Sequence, residues 1–227
     1  MIGNDLYQHV DKLERAGNDA RSIGAELRKL SFKVSIHTNV DRYRMNQEIG
    51  KLADCIARGG VGVFFYADHG VQMGTENFLL PIDVRAARPD DLADEAVSLG
   101  RIMERLAQAK AKFTLLILDA CRDNPFPKVA GRTIGGTRGL TNTEAPEGLM
   151  VIYSAGINQK ALDRLSSTDS DLNSLFTREF LKYLRKPGLR VDDRLKQVRK
   201  SVRTRLPRSA TRKSLPSMIS QAEILTF

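Results

Sequence analysis

Two cysteines and three histidines are all that 227 residues supply in soft, easily polarised side chains. Two cysteines cannot build a disulfide framework, and no Cys/His spacing of the structural-zinc kind is present. The chain also lacks an apolar run of about 18 residues, which excludes an ordinary membrane-spanning helix. Met1-Ile2-Gly3-Asn4-Asp5 shows no basic region followed by an apolar stretch, so no secretory signal is visible and a cytoplasmic location is the expectation. Internal repeats and low-complexity linkers are missing too. What remains is an ordinary globular composition, 41% hydrophobic and 28% charged. At this length it fits one sizeable domain over residues 1–227 with a substantial core.

The net charge of +9 is unevenly spread. Residues 185–213 hold 12 Lys or Arg against 2 Asp, so the rest of the chain is close to neutral. A basic stretch can attract nucleic acid or anionic lipid; it can equally be the solvated face of a helix. Val191, Leu195, Val198, Val202 and Leu206 form an apolar stripe within it, which predicts an amphipathic helix docked on the core. The segment has no interleaved aromatics, and this argues against base stacking on single strands.

Apolar runs and helical patterns alternate along the rest. Asn18-Asp19 reads as a helix start, with Ala20, Ile23, Leu27 and Leu30 following at helical spacing. Phe32, Val34 and Ile36 alternate as in a strand. Asp41 precedes Met45, Ile49, Leu52 and Ile56, a second helix with Cys55 on its apolar side and therefore expected in the core. Val61–Tyr66, Phe113–Leu118 and Leu149–Ser154 are continuous apolar runs, the mark of strands covered on both faces. Leu99, Ile102, Met103 and Leu106 predict a helix, as do Leu175, Phe176, Phe180 and Leu184. The pattern predicts an α/β three-layer sandwich: a mostly parallel central sheet with helices on both faces. Ile2-Gly3-Asn4 reads as the tail of a strand, either very short or with its beginning missing. Residues 122–148 are rich in Gly and Pro and predict a long loop, and residues 158–170 a second polar stretch.

Sites in open α/β sheets form at the carboxyl ends of strands. One such end leads into Tyr66-Ala67-Asp68-His69-Gly70, another into Asp119-Ala120-Cys121-Arg122-Asp123. If the two strands are parallel neighbours, His69 and Cys121 reach the same edge. A thiolate is a strong nucleophile, and a histidine in hydrogen-bond reach can take its proton. A glycine after the histidine lets substrate approach the backbone closely. Taken alone, either residue is more often a packed side chain than a reactive one. His9 and His37 have no cysteine partner in a recognisable local context.

Phe64-Phe65-Tyr66-Ala67-Asp68-His69-Gly70 and Leu118-Asp119-Ala120-Cys121-Arg122-Asp123-Asn124-Pro125-Phe126 resemble the paired motifs of the caspase-like cysteine peptidases. Animal caspases carry Ala-Cys between Gln and Gly, with the histidine about 50 residues upstream. Here Asp119 and Asp123 replace those flanks, which is closer to the bacterial metacaspase-type branch. Ile2-Gly3-Asn4, Asn18-Asp19-Ala20 and Asn77–Asp83 resemble further family segments, so the likeness covers nearly the whole chain. It departs at Asp68, where the family usually has Gly. On a strand, Asp68 should face away from the side that His69 uses.

The resemblance implies a cysteine endopeptidase acting on polypeptides, with Cys121 as nucleophile and His69 as general base and acid. It implies that Gly70 and Cys121 donate backbone N–H groups to the oxyanion. It also implies cleavage after Arg or Lys, with Asp19 and Asp119 in the substrate pocket. Independently, Asp119 and Cys121 are two residues apart on a strand and so share a face. Asp19 can instead be a helix cap, and Asp119 purely structural. No organic cofactor is required. Some relatives depend on calcium, but no oxygen-ligand cluster can be assembled here; Asp90, Asp91, Asp94 and Glu95 read as a solvated helix start. Any self-cleavage is expected near Lys128, Arg132 or Arg138, or within 158–170. Two alternatives stand beside the peptidase: a catalytically weak caspase-like scaffold or interaction module, and a basic-surface nucleic-acid binder. The oligomeric state is not legible.

Overall fold

A computed structural model describes residues 1–86, 88, 91–121, 126, 140, 144–154, 168–205 and 217–220. The elements run β1 (Ile2–Gly3), α1 (Ala16–Lys29), β2 (His37–Thr38), α2 (Arg42–Ile56), β3 (Val61–Met73), β4 (Glu76–Leu79), α3 (Asp91–Glu95), β5 (Val97–Ser98), α4 (Leu99–Gln108), β6 (Phe113–Cys121), β7 (Leu149–Tyr153), α5 (Leu175–Leu184), α6 (Val191–Arg205) and β8 (Ser217–Ser220). The central sheet has the order β2-β1-β3-β6-β7-β8, parallel except for β8, while β4 and β5 extend antiparallel from β3.

Alternation along β3 and β6 sorts the core into two layers. Phe64, Tyr66, Leu116, Leu118 and Ala120 face α2 and α4, meeting Met45, Ile49, Ile102 and Leu106. Phe65, Ala67, Leu115 and Ile117 face the other way, onto Ala20 and Ile23 of α1, Phe176 and Phe180 of α5, and Leu195, Val198 and Val202 of α6. The three-layer α/β sandwich is therefore as the apolar runs predict. So is the docking of the basic segment, whose α6 stripe is buried as far as Val202; Leu206 lies outside the described residues.

Local details differ from expectation. α1 begins at Ala16, not Asn18-Asp19, because a remote side chain supplies the cap: Asp5 accepts from the Ala16 and Gly17 N–H groups at 2.8 and 2.9 Å. Leu30 is its exposed C-cap. Phe32–Ile36 alternates and packs on α1, but β1 offers ladder partners to His37 and Thr38 alone. Asp41 caps α2 as predicted, accepting from Arg44 N–H at 2.7 Å. Cys55, expected in the core, is exposed. At 100° per residue it sits about a third of a turn from the Met45/Ile49/Ala53/Ile56 face. β3 does not stop at Tyr66. It pairs with β6 from Val61 to His69 and then with β4 from Gly70 to Met73, changing sheets between His69 and Gly70.

Candidate active site

The β3–β6 register sets the site. Ala67 pairs with Asp119, Asp68 with Ala120 and His69 with Cys121. Neighbouring strands lie about 4.8 Å apart, and residues in parallel register project to the same face. His69 and Cys121 are thus register partners at the carboxyl edge, and His69 has the parity of Ala67, on the α1/α5 side.

His69 is buried, and its ring is fixed from the loop before α1. Nε2 lies 2.8 Å from the Asp11 carbonyl oxygen. A carbonyl only accepts, so Nε2 carries the proton in this bond and Nδ1 is the basic nitrogen of the neutral ring. The Tyr7 ring packs against the imidazole, centroids 4.9 Å apart at 51°.

Asp68 faces the opposite layer, as strand alternation predicts, but it is not remote from His69. Its Oδ1 accepts the His69 backbone N–H at 2.6 Å and also the Tyr7 hydroxyl. The same hydroxyl lies 2.9 Å from the Leu80 carbonyl, which Tyr66 also reaches at 3.0 Å. Burial pushes the Asp68 carboxyl well above its ordinary value, against the pull of the Tyr7 and His69 hydrogen bonds. Burial and then the Asp68 charge raise both tyrosines well above theirs.

Gly70 follows directly. Leu80 N–H donates to the His69 carbonyl at 3.2 Å, which makes Gly70–Leu79 the pair without mutual bonds. The Gly70 N–H is therefore turned away from β4. A Cβ at Gly70 would come within 2.9 Å of Leu140 Cδ2 and 3.2 Å of Ala120 Cβ, so this position takes nothing larger.

Asp19 and Asp119, 100 residues apart, converge on Ser174, the N-cap of α5. Asp19 accepts its backbone N–H at 3.0 Å. Asp119 accepts the Ser174 hydroxyl at 2.7 Å and the Thr177 hydroxyl at 3.2 Å. Both carboxylates are buried, and burial raises the Asp119 carboxyl while the Ser154, Ser174 and Thr177 hydroxyls pull the other way.

Among the described residues no group of three or more His, Cys, Asp or Glu side chains is placed to hold a metal. Asp91 is bound by Arg88, and Glu95 accepts from the Arg85 and Ala86 N–H groups. Asp90 lies outside the described residues. So do Lys128, Arg132 and Arg138, and most of 122–148 and 158–170.

The family described as the caspase domain matches residues 1–224. The chain belongs to that family. Over 123 residues it is 25% identical to the mucosa-associated lymphoid tissue lymphoma translocation protein 1 of Homo sapiens, and equally to the Mus musculus homolog; these stretches cover 54% of this chain. The match spans 14% of each relative's length. The solved structure of pro-sf-caspase-1 superposes with a TM-score of 0.68 at 14% identity, over 98% of this chain and 86% of that one. The caspase fold is therefore shared, and caspase-domain membership supports cysteine-peptidase chemistry. Among the described residues no helix is long and apolar enough to cross a membrane.

Of the residues named from the sequence, His69 and Cys121 are register partners with Gly70 next in the chain, and Asp19 and Asp119 converge on Ser174. Sequence reasoning missed Tyr7, the Asp11 carbonyl and Ser174. Only Ser174 left a signal, as a capping serine ahead of the Leu175-Phe176 helix.

Proposed function

We propose that this caspase domain is a cysteine endopeptidase of metacaspase type that cleaves after Arg or Lys. The pairing of His69 with Cys121 in adjacent parallel strands carries the reading. His69 Nδ1 takes the thiol proton, and the Cys121 sulfur attacks the scissile carbonyl. The oxyanion is met by backbone N–H groups of Gly70 and Cys121. His69 returns the proton to the leaving amine as the C–N bond breaks, leaving a thioester. Water, deprotonated by His69, then attacks it; the acid product leaves and the thiol is restored. All of these steps use the chain's own groups, and an activity series in calcium and in chelator tests that. Two buried carboxylates at Ser174 support the basic preference: a guanidinium entering there gains charge-assisted, bidentate bonds and relieves the burial that raises Asp119.

The test uses two fluorogenic peptides identical except for Arg or Asp before the cleaved bond. The Arg peptide is expected to be cut and the Asp peptide left. Cys121→Ala abolishes cutting, and Asp119→Ala slows it far more than it slows alkylation of Cys121. Because Cys55 is exposed, alkylation is followed in a Cys55→Ala background. Cutting that survives in Cys121→Ala overturns the nucleophile; preference for Asp overturns the pocket. No cutting of either peptide, together with a slowly alkylated Cys121, favours the catalytically weak scaffold.

A further inference from the structure

On the opposite face of the sheet from the Ser174 carboxylates, a cleft of about 260 Å³ opens between the first turns of α2 and α4. Arg42, Arg101 and Arg105 line it, with Ile49, Phe78 and Ile102 as an apolar floor. Among the described residues, none of these three guanidiniums has a carboxylate within 4 Å. Several arginines elsewhere are matched, Arg44 with Glu48, Arg178 with Asp169, Arg185 with Glu26 and Arg205 with Glu179. The lining contains one carboxylate, Glu76, and it accepts the Ser98 hydroxyl.

Two of the cations are held in place. Arg42 Nε donates to the Ala96 carbonyl at 3.2 Å. Arg105 Nη1 donates to the Asn46 carbonyl at 3.4 Å, and its guanidinium packs against Gly50. A Cβ on residue 50 would come within 2.4 Å of Arg105 Nη2. Glycine inside a helix costs about 1 kcal/mol relative to alanine, and here it is what admits the guanidinium. The N-terminal turn of α4, capped by Ser98, adds the positive end of its dipole to the same space.

We propose that this cleft binds the phosphate group of a small organic phosphomonoester. Three guanidinium-bearing residues lining one cleft match a dianion with three terminal oxygens better than they match a carboxylate with one charge and two. The apolar floor accommodates the organic body, in the usual proportion of a few polar anchors to an apolar lining. None of the groups proposed for peptide cleavage takes part, so the site stands or falls independently of that reading.

Phenyl phosphate is the probe, titrated calorimetrically into the full chain at low salt, with benzoate as the comparison. Phenyl phosphate should bind at least about tenfold more tightly than benzoate, with affinity falling as salt rises. Arg101→Gln and Arg105→Gln should each weaken binding about tenfold. Arg203→Gln, on the exposed face of α6, should leave it unchanged. Arg101 and Arg105 are exposed, so both variants should fold, and circular dichroism checks this. Absence of binding, equal affinity for benzoate, or loss in Arg203→Gln without loss in Arg101→Gln overturns the proposal. Tighter binding of a glutamate-rich peptide at the same arginines overturns the small-molecule assignment in favour of an acidic protein segment.

Discussion

Replacing Asp68 by Asn exposes what the buried carboxyl beneath His69 costs. Asp68 is 1% exposed, and burial raises its pKa well above the ordinary 3.8. Above pH 3.8 the unfolded chain therefore releases this proton while the folded chain keeps it. Folding stability contributed by the group is complete below that pH and is lost as pH rises toward the folded pKa. The slope for one such proton is about 1.4 kcal/mol per pH unit. Asn cannot titrate, so the difference in unfolding free energy, wild type minus Asp68→Asn, should fall as pH rises above the ordinary carboxylate range, by up to that amount per unit. The window from about pH 4.5 to 6 lies below the ordinary histidine range, and titrations elsewhere cancel in the difference. In urea this is a relative midpoint shift of about half a molar or more per pH unit. The amide nitrogen adds a constant offset of about 1–3 kcal/mol where it meets no acceptor, but it does not tilt the line. Urea melts of both proteins at four pH values measure the slope. A flat difference would refute the buried, proton-retaining carboxyl.

Two other substitutions probe the core and the histidine. Leu116→Ala, fully buried between β3 and β7 in the α2/α4 layer, should cost about 3 kcal/mol in urea unfolding. Tyr7→Phe keeps the ring against His69 and removes only the hydroxyl, so peptide cleavage should persist while stability drops by about 1–2 kcal/mol. Tyr7→Ala removes the ring as well, and its cleavage rate should fall at least tenfold by comparison. Equal rates in the two variants would show that the ring does not position His69.

The central strands were legible because β3, β6 and β7 are covered on both faces and so read as unbroken apolar runs. The paired motifs placed His69 and Cys121 for the same reason: each is the continuation of such a run. β1 was legible only as the very short strand tail that Ile2-Gly3-Asn4 suggests, and β2 was not legible, since two residues carry no periodicity. Cys55 was misread because a helical stripe gives an angle and not the width of the surface that covers it. Tyr7 and Asp11 lie in a loop without pattern, and Asp11 acts through its carbonyl, which every residue has. The meeting of Asp19 with Asp119 depends on Ser174, which lies 155 residues from the first and 55 from the second. No local spacing encodes that.

The double membership of β3 fixes the parity of the chain at His69. Counting from Val61, the pairing with β6 decides which residues look toward α1 and which toward α2. Counting back from Met73, the pairing with β4 makes the same decision from the other end. The two counts agree only if the number of residues between them is right. One residue inserted or deleted would have to surface where the sheets hand over, between His69 and Gly70, because both flanks are pinned. There the imidazole and the Asp68 carboxyl would exchange sides. The site therefore sits at the one point of the strand where an error of a single residue in length cannot be hidden.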